Sequence, residues 1–204
     1  MNTVTRHMLA GAAVIAAIAV SAAHAQQPPT QRVRGTIEKV DGDRLSVKSR
    51  DGAVATVVLA SNVQVIGVVK ASLADVKEGS YIGSGAMPQA DGSQKAVEVH
   101  IFAETQRGTG EGHRPWGGAP NGTMTNGTAG TTVTGVDGSV ITVKYGNGEK
   151  KLIVPPGTPI VRYVPGEKIE LKPGAHINIV NAVRKSDGTF EAARVNVGRD
   201  GVVP

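Results

Sequence analysis

The feature that most constrains this chain is that it nearly repeats itself. Val40-Asp41-Gly42 stands 96 positions before Val136-Asp137-Gly138. The same offset carries Leu45 and Val47 onto Ile141 and Val143, and Asp91-Gly92 onto Asp187-Gly188. ADVKEGSYI and IELKPGAHI align at an offset of 95, so one small indel keeps the halves in step. Ordered matches of this kind point to duplication of one structural unit, whose copies either form separate cores or share one.

Each copy reads as short strands. Leu45 and Val47 alternate with Arg44, Ser46 and Lys48, and Ile141, Val143 and Tyr145 alternate with Thr142 and Lys144. Val97, Val99 and Ile101 alternate with Glu98, His100 and Phe102. Period two is the mark of a sheet with one face buried. Asp-Gly and Asn-Gly pairs separate these runs, as tight hairpin turns require. The only helical pieces expected are one or two turns around Ser72 to Val76 and Glu167 to Leu171, ended by Gly79 and Gly174. Three strands in a meander, a connection with a helical turn, then two more strands predict a five-stranded, OB-like small barrel, which hides its edges by curling. Small β-sandwiches are the alternative. The expected organisation is all-β: a flexible N-terminus over 26–32, a first barrel repeat over 33–102, a Gly-rich linker over 103–130, a second repeat over 131–198 and a tail over 199–204.

The first residues read as a secretory signal. Met1 to Met8 carries Arg6, Leu9 to Ala22 is an apolar run of 14, and Ala23-His24-Ala25 is a small-x-small cleavage pattern. The apolar run is short against the roughly 20 residues of a bilayer span, and no other segment approaches that length. A signal peptide over 1–25 and a periplasmic or secreted mature chain are therefore expected. Zero cysteines exclude disulfides, thiolate metal sites and thiol nucleophiles. The net charge of +5 is spread among interspersed acids, and aromatics are 3%, too few for a base-stacking platform, so no nucleic-acid partner is expected.

The segment from Ala103 to Gly130 holds eight glycines, two prolines and the only tryptophan. It reads either as a mobile linker or as a functional loop. His113-Arg114-Pro115-Trp116 is its most unusual cluster. Arg114 could pair with a carboxylate or phosphate, and Trp116 could stack on a sugar or plug a barrel. His113, Arg114 and Trp116 are accordingly the candidate ligand-binding residues, and both uses of Trp116 require it to touch a barrel. Glu111 and His113 are the only weak metal candidates, since there is no H-E-x-x-H. His100 and His176 alternate with buried positions and are expected to point outward. Asp41, Asp91, Asp137 and Asp187 fall in turns, where Asp supports its own backbone, and no nucleophile elbow is present. No catalytic residues and no cofactor are expected, a metal ion being the one cofactor left open.

RGTIEKVDGDRLSVK, VVKASLADVKEG, GSGAMPQADGSQKAVEVHIF, RGTGEGHRPW and VNVGRDG resemble a family of small exported bacterial proteins that carry a domain of unknown function. The resemblance covers nearly all of the mature chain and is most specific from Lys95 to Trp116. It implies an OB-like β fold and a periplasmic location, and no catalytic residues. Some relatives bear the label "metal ABC transporter permease". A permease crosses the bilayer on apolar helices and the mature chain has none, so that label leaves an accessory role beside a transporter. Together these readings predict a periplasmic, non-enzymatic binding or envelope-associated module. Its partner would be an unidentified ligand or envelope component. A metal-related accessory protein and an enzyme on envelope polymers are the alternatives.

Overall fold

The computed structural model describes residues 29–135 and 138–204. The expected signal peptide over 1–25 and the Val136-Asp137 part of the second tight turn lie outside the described residues. The described chain is all-β. In order, the strands are β1 (Thr30–Asp41), β2 (Arg44–Lys48), β3 (Val54–Ala71), β4 (Tyr81–Pro88), β5 (Gln94–Ile101), β6 (Gly112–Pro115), β7 (Thr123–Gly135), β8 (Gly138–Tyr145), β9 (Gly148–Val154), β10 (Ile160–Pro165), β11 (His176–Arg184) and β12 (Phe190–Gly198). The helical pieces are single 3-10 turns, Leu73–Asp75 and Lys168–Glu170 where turns were expected, and Glu104–Gln106 besides.

Local chemistry explains these elements. The Asp-Gly hairpins between β4 and β5 and between β11 and β12 are built alike. Asp91 Oδ1 accepts from the Ser93 amide and hydroxyl at 3.0 and 2.6 Å, and Asp187 Oδ1 accepts from those of Thr189 at 2.9 and 2.7 Å. Gly92 and Gly188 then take φ of 83° and 82°, where a side chain would be strained. The turns before β4 and β11 also match. The Ser72 amide donates to Asp75 at 2.8 Å, and the Glu167 amide donates to Glu170 at 2.7 Å.

The strand pairings make two rings, and neither is contiguous in sequence. In the first ring β2 pairs with β1 and β3, β3 pairs in parallel with β12, and β11 joins β12 back to β1. This ring is closed. In the second, β8 pairs with β7 and β9, and β4 joins β5 to β7. A short parallel contact, Gln94 opposite Leu152 and Lys95 opposite Ile153, links β5 to β9. The cores follow the rings. One gathers Val33, Ile37, Leu45, Val47 and Val57 with Ile177, Ile179, Val195 and Val197; the other gathers Ile82, Val99 and Ile101 with Ile141, Val143 and Leu152.

The expected division into a barrel over 33–102 and another over 131–198 is therefore corrected: each barrel takes three strands from one half and two from the other. The cause is the length of β3. Its last residues, Ile66 to Ala71, pair with β10, Ile66 to Val68 while still paired with β12 and Val69 to Ala71 beyond the first barrel, and β10 in turn lies parallel to β5. The chain thus reaches the 3-10 turn already beside the other meander. In the second half Pro155-Pro156-Gly157 falls between β9 and β10, so the same path is made by two strands. Two further bounds move. Strand β1 begins at Thr30, inside the segment expected to be flexible, with Thr30 opposite Val183. Residues 103–130 are not a structureless linker, because β6 pairs with β7, which begins at Thr123.

Candidate functional site

The residues singled out in the sequence lie in this connector. Its 3-10 turn places Arg107 where its guanidinium donates to Glu104 at 2.8 Å, to the Gly79 carbonyl at 2.9 Å and to Thr128 at 3.3 Å. The same group lies 5.7 Å from the centroid of the Tyr81 ring. Tyr81 Oη and Asn126 Nδ2 both donate to the Thr109 carbonyl, at 3.3 and 3.0 Å. Strand β6 then runs antiparallel to β7, with His113 opposite Thr125 and Arg114 opposite Met124.

His113 Nδ1 and Thr125 Oγ1 share a hydrogen bond of 2.8 Å, and the imidazole stacks on Tyr145 at 6.4 Å. Burial, with a smaller push from Lys150, holds this imidazole below its ordinary pKa. Arg114 donates to the Gly110 carbonyl of its own connector. Trp116 is half-buried, and its amide donates to the Gly122 carbonyl at 2.8 Å. Its ring lies on Gly85 of β4 so closely that a Cβ there would come within 2.7 Å. Trp116 therefore does touch a barrel. Glu111 accepts from the Gly146 amide at 2.7 Å, so Glu111 and His113 both reach the turn between β8 and β9. Among the described residues no group of three His, Cys, Asp or Glu converges as a metal would need.

A different group lines a charged recess. At one corner of the first barrel a cleft of about 300 Å³ is lined by Arg34, Thr36, Glu38, Lys48, Arg50 and His176. The backbone explains the gathering. Gly35 lets β1 cross β2 so closely that a Cβ would lie 2.1 Å from the Lys48 carbonyl oxygen. Thr36 sits opposite both Lys48 and His176. Thr36 Oγ1 and His176 Nδ1 share a hydrogen bond of 3.0 Å, which fixes the ring. Lys48 pairs with Glu38 at 3.3 Å. Arg34 donates to the Val203 carbonyl at 3.4 Å at the rim. Among the described residues neither Arg34 nor Arg50 has a carboxylate within ion-pair distance. Burial first, then the Arg50 charge, holds the Arg34 guanidinium below its ordinary value, with Glu98 pulling the other way.

An aromatic ladder lies where the two barrels join. Tyr163 of β10 stacks on His100 at 5.3 Å and meets Phe102 edge-on at 5.2 Å, and Phe102 tilts against Tyr81 at 5.4 Å. Burial and the nearby Glu98 carboxylate push the Tyr163 phenol up. Thus His100 and His176 are half-buried and engaged, not free on the outer faces as expected.

Sequence reasoning passed over Arg34, Lys48 and Arg50 because their charges are dispersed along the chain, and it expected His176 to point outward. Two local signals were present. Arg32 and Arg34 stand two apart on one strand, and Lys48-Ser49-Arg50 ends the next. Compared with protein-family models, curated proteins and solved structures, the chain matches none.

Proposed function

We propose that this chain is an exported, non-enzymatic binding module of the cell envelope, and that its ligand is an anion held in the corner cleft of the first barrel. Export rests on the signal-like leader and on the resemblance to small exported bacterial proteins. The strand order within each ring supports the OB-like reading, and the matched turns support an origin by duplication. The observation that carries the ligand is the pair Arg34 and Arg50, two guanidinium groups that line one recess and have no carboxylate at ion-pair distance among the described residues. Guanidinium recognises oxyanions through paired, charge-assisted hydrogen bonds. In this reading His113, Arg114 and Trp116 seal the second barrel and do not hold the ligand.

The test is the thermal midpoint of the protein with polyphosphate, with alginate and with neutral dextran. The polyanions should raise it, dextran should not, and the double variant Arg34→Ala/Arg50→Ala should lose the response. A shift with dextran, or a full polyanion response in the double variant, would sink the proposal.

A further inference from the structure

The cleft also constrains the chemistry of its occupant, an inference that rests on the anion-binding reading above. We infer that the group held between Arg34 and Arg50 is a dianionic phosphoryl group, as a phosphomonoester or as free phosphate. Charge is the first argument. Arg34, Lys48 and Arg50 line the cleft with a single carboxylate, Glu38, so the lining carries an excess of two positive charges. A phosphoryl group supplies about 1.5 to 2 negative charges at neutral pH, whereas a carboxylate or a sulfate ester supplies one.

Donor geometry is the second. The Glu38 carboxylate engages Lys48, which leaves the forked guanidinium groups of Arg50 and of Arg34 for the ligand, the latter held only by its 3.4 Å bond to the Val203 carbonyl. A carboxylate has two oxygens and satisfies one fork. A phosphoryl group has three terminal oxygens and can bridge both. Their mutual repulsion is relieved when a dianion lies between them. Size is the third. A cleft of about 300 Å³ has room for more than one phosphoryl group. The surplus suits the organic part of a phosphomonoester of monosaccharide size.

Calorimetric titration of the full protein with glucose 6-phosphate, inorganic phosphate and glucuronate tests this. Glucose 6-phosphate should bind at least about tenfold more tightly than glucuronate. Arg50→Ala should weaken it at least tenfold, and Arg50→Lys should restore little, because an ammonium keeps the charge but loses the fork. Inorganic phosphate binding as tightly as the sugar phosphate would support the phosphoryl class and assign the free ion as its source. Glucuronate binding as tightly as glucose 6-phosphate would overturn the phosphoryl assignment and leave the anion-binding module standing. The same holds if none of the three binds while polyphosphate or alginate still raises the thermal midpoint. If those polyanions fail as well, the module reading falls with it.

Discussion

The same corner occurs in both barrels and is used in opposite ways. In the first, Thr36 opposes Lys48 and His176; in the second, Thr128 opposes Lys144 and Tyr81. The close crossing is repeated too, with a Cβ at Gly127 meeting the Lys144 carbonyl oxygen at 2.2 Å, as one at Gly35 would meet that of Lys48 at 2.1 Å. Over the second corner lies the connector, with Arg107 on the Tyr81 ring and Thr109 accepting from Tyr81 and Asn126. Over the first, the described residues provide only the rim contact of Val203. The polar interior follows the same division. Ser84, Gln94, Thr125, Asn126 and Ser139 are buried around the second barrel, Asn196 around the first. The covered corner has most of its hydrogen bonds met from within the chain, Asn126 Oδ1 being the buried atom there left without a partner among the described residues. In the open one neither Arg34 nor Arg50 has a carboxylate at ion-pair distance among the described residues.

The comparison assumes that each barrel needs both halves, and that can be broken outright. A protease site placed at Gly117-Gly118 would divide the chain between β6 and β7. The nicked protein should elute as one particle and unfold in one transition. Residues 29–117 or 118–204 expressed alone should show no cooperative unfolding, since each would hold three strands of one ring and two of the other. A stable, cooperative monomer from either fragment would mean that the halves close on themselves and that the exchanged pairing is dispensable.

The next largest effect should separate sealing from binding. Trp116→Ala removes a half-buried indole from Gly85 and opens the cover of the second barrel. A cost of about 2 kcal/mol in urea unfolding is expected, below the 3–5 kcal/mol of a fully buried aromatic. Anion affinity at the first barrel should be unchanged. Lost affinity at unchanged stability would return the ligand site to the tryptophan.

These tests bear on what the chain discloses before it folds. The strands were legible because Leu45, Val47, Ile141 and Val143 alternate with polar residues, and all four are buried. The matched turns were legible because Asp and Gly are locally required there. The partner of each strand was not, because β4 could pair with β1 or β7 at equal local cost. The choice is made by the run from Ile66 to Ala71, which pairs with β10 across the molecule. The cleft was hidden for the same reason. Arg34, Arg50 and His176 come from three elements, and only the exchanged ring sets β11 beside β1. Trp116 stood out by rarity, which signals a special contact without saying whether it is internal.

A smaller effect contrasts the arginines of the two corners. Arg107 is tied to Glu104, to Gly79 and to Thr128, whereas Arg50 has no ion-pair partner among the described residues. Arg50→Ala should therefore change stability by no more than about 0.5 kcal/mol, as exposed substitutions usually do. Arg107→Ala should lower the thermal midpoint further. Equal loss at the two sites would show that Arg50 is structural and would weaken the case for an open corner.

The finest distinction lies at the junction, where the Glu98 carboxylate acts on Arg34 and Arg32. Burial works to raise its pKa, but the hydrogen bond and charge of His100, with the charges of Arg34 and Arg32, outweigh it and hold the carboxyl below its ordinary value of 4.5. A carboxylate whose folded pKa is depressed contributes stability that is fully present above the unfolded value. That contribution is lost as pH falls through the folded value. Urea unfolding should thus show stability declining below about pH 4.5, and Glu98→Gln should flatten part of that decline. The same substitution removes the larger of the two influences, Glu98 and Tyr163, that pull Arg34 back toward its ordinary pKa, so it should tighten anion binding at the first corner at neutral pH. The position 96 residues on is Arg194, so the junction is asymmetric in charge where the backbone repeats. Glu98→Gln leaving both the acid limb and the anion affinity unchanged would mean that the junction carboxylate and the open corner are electrostatically independent.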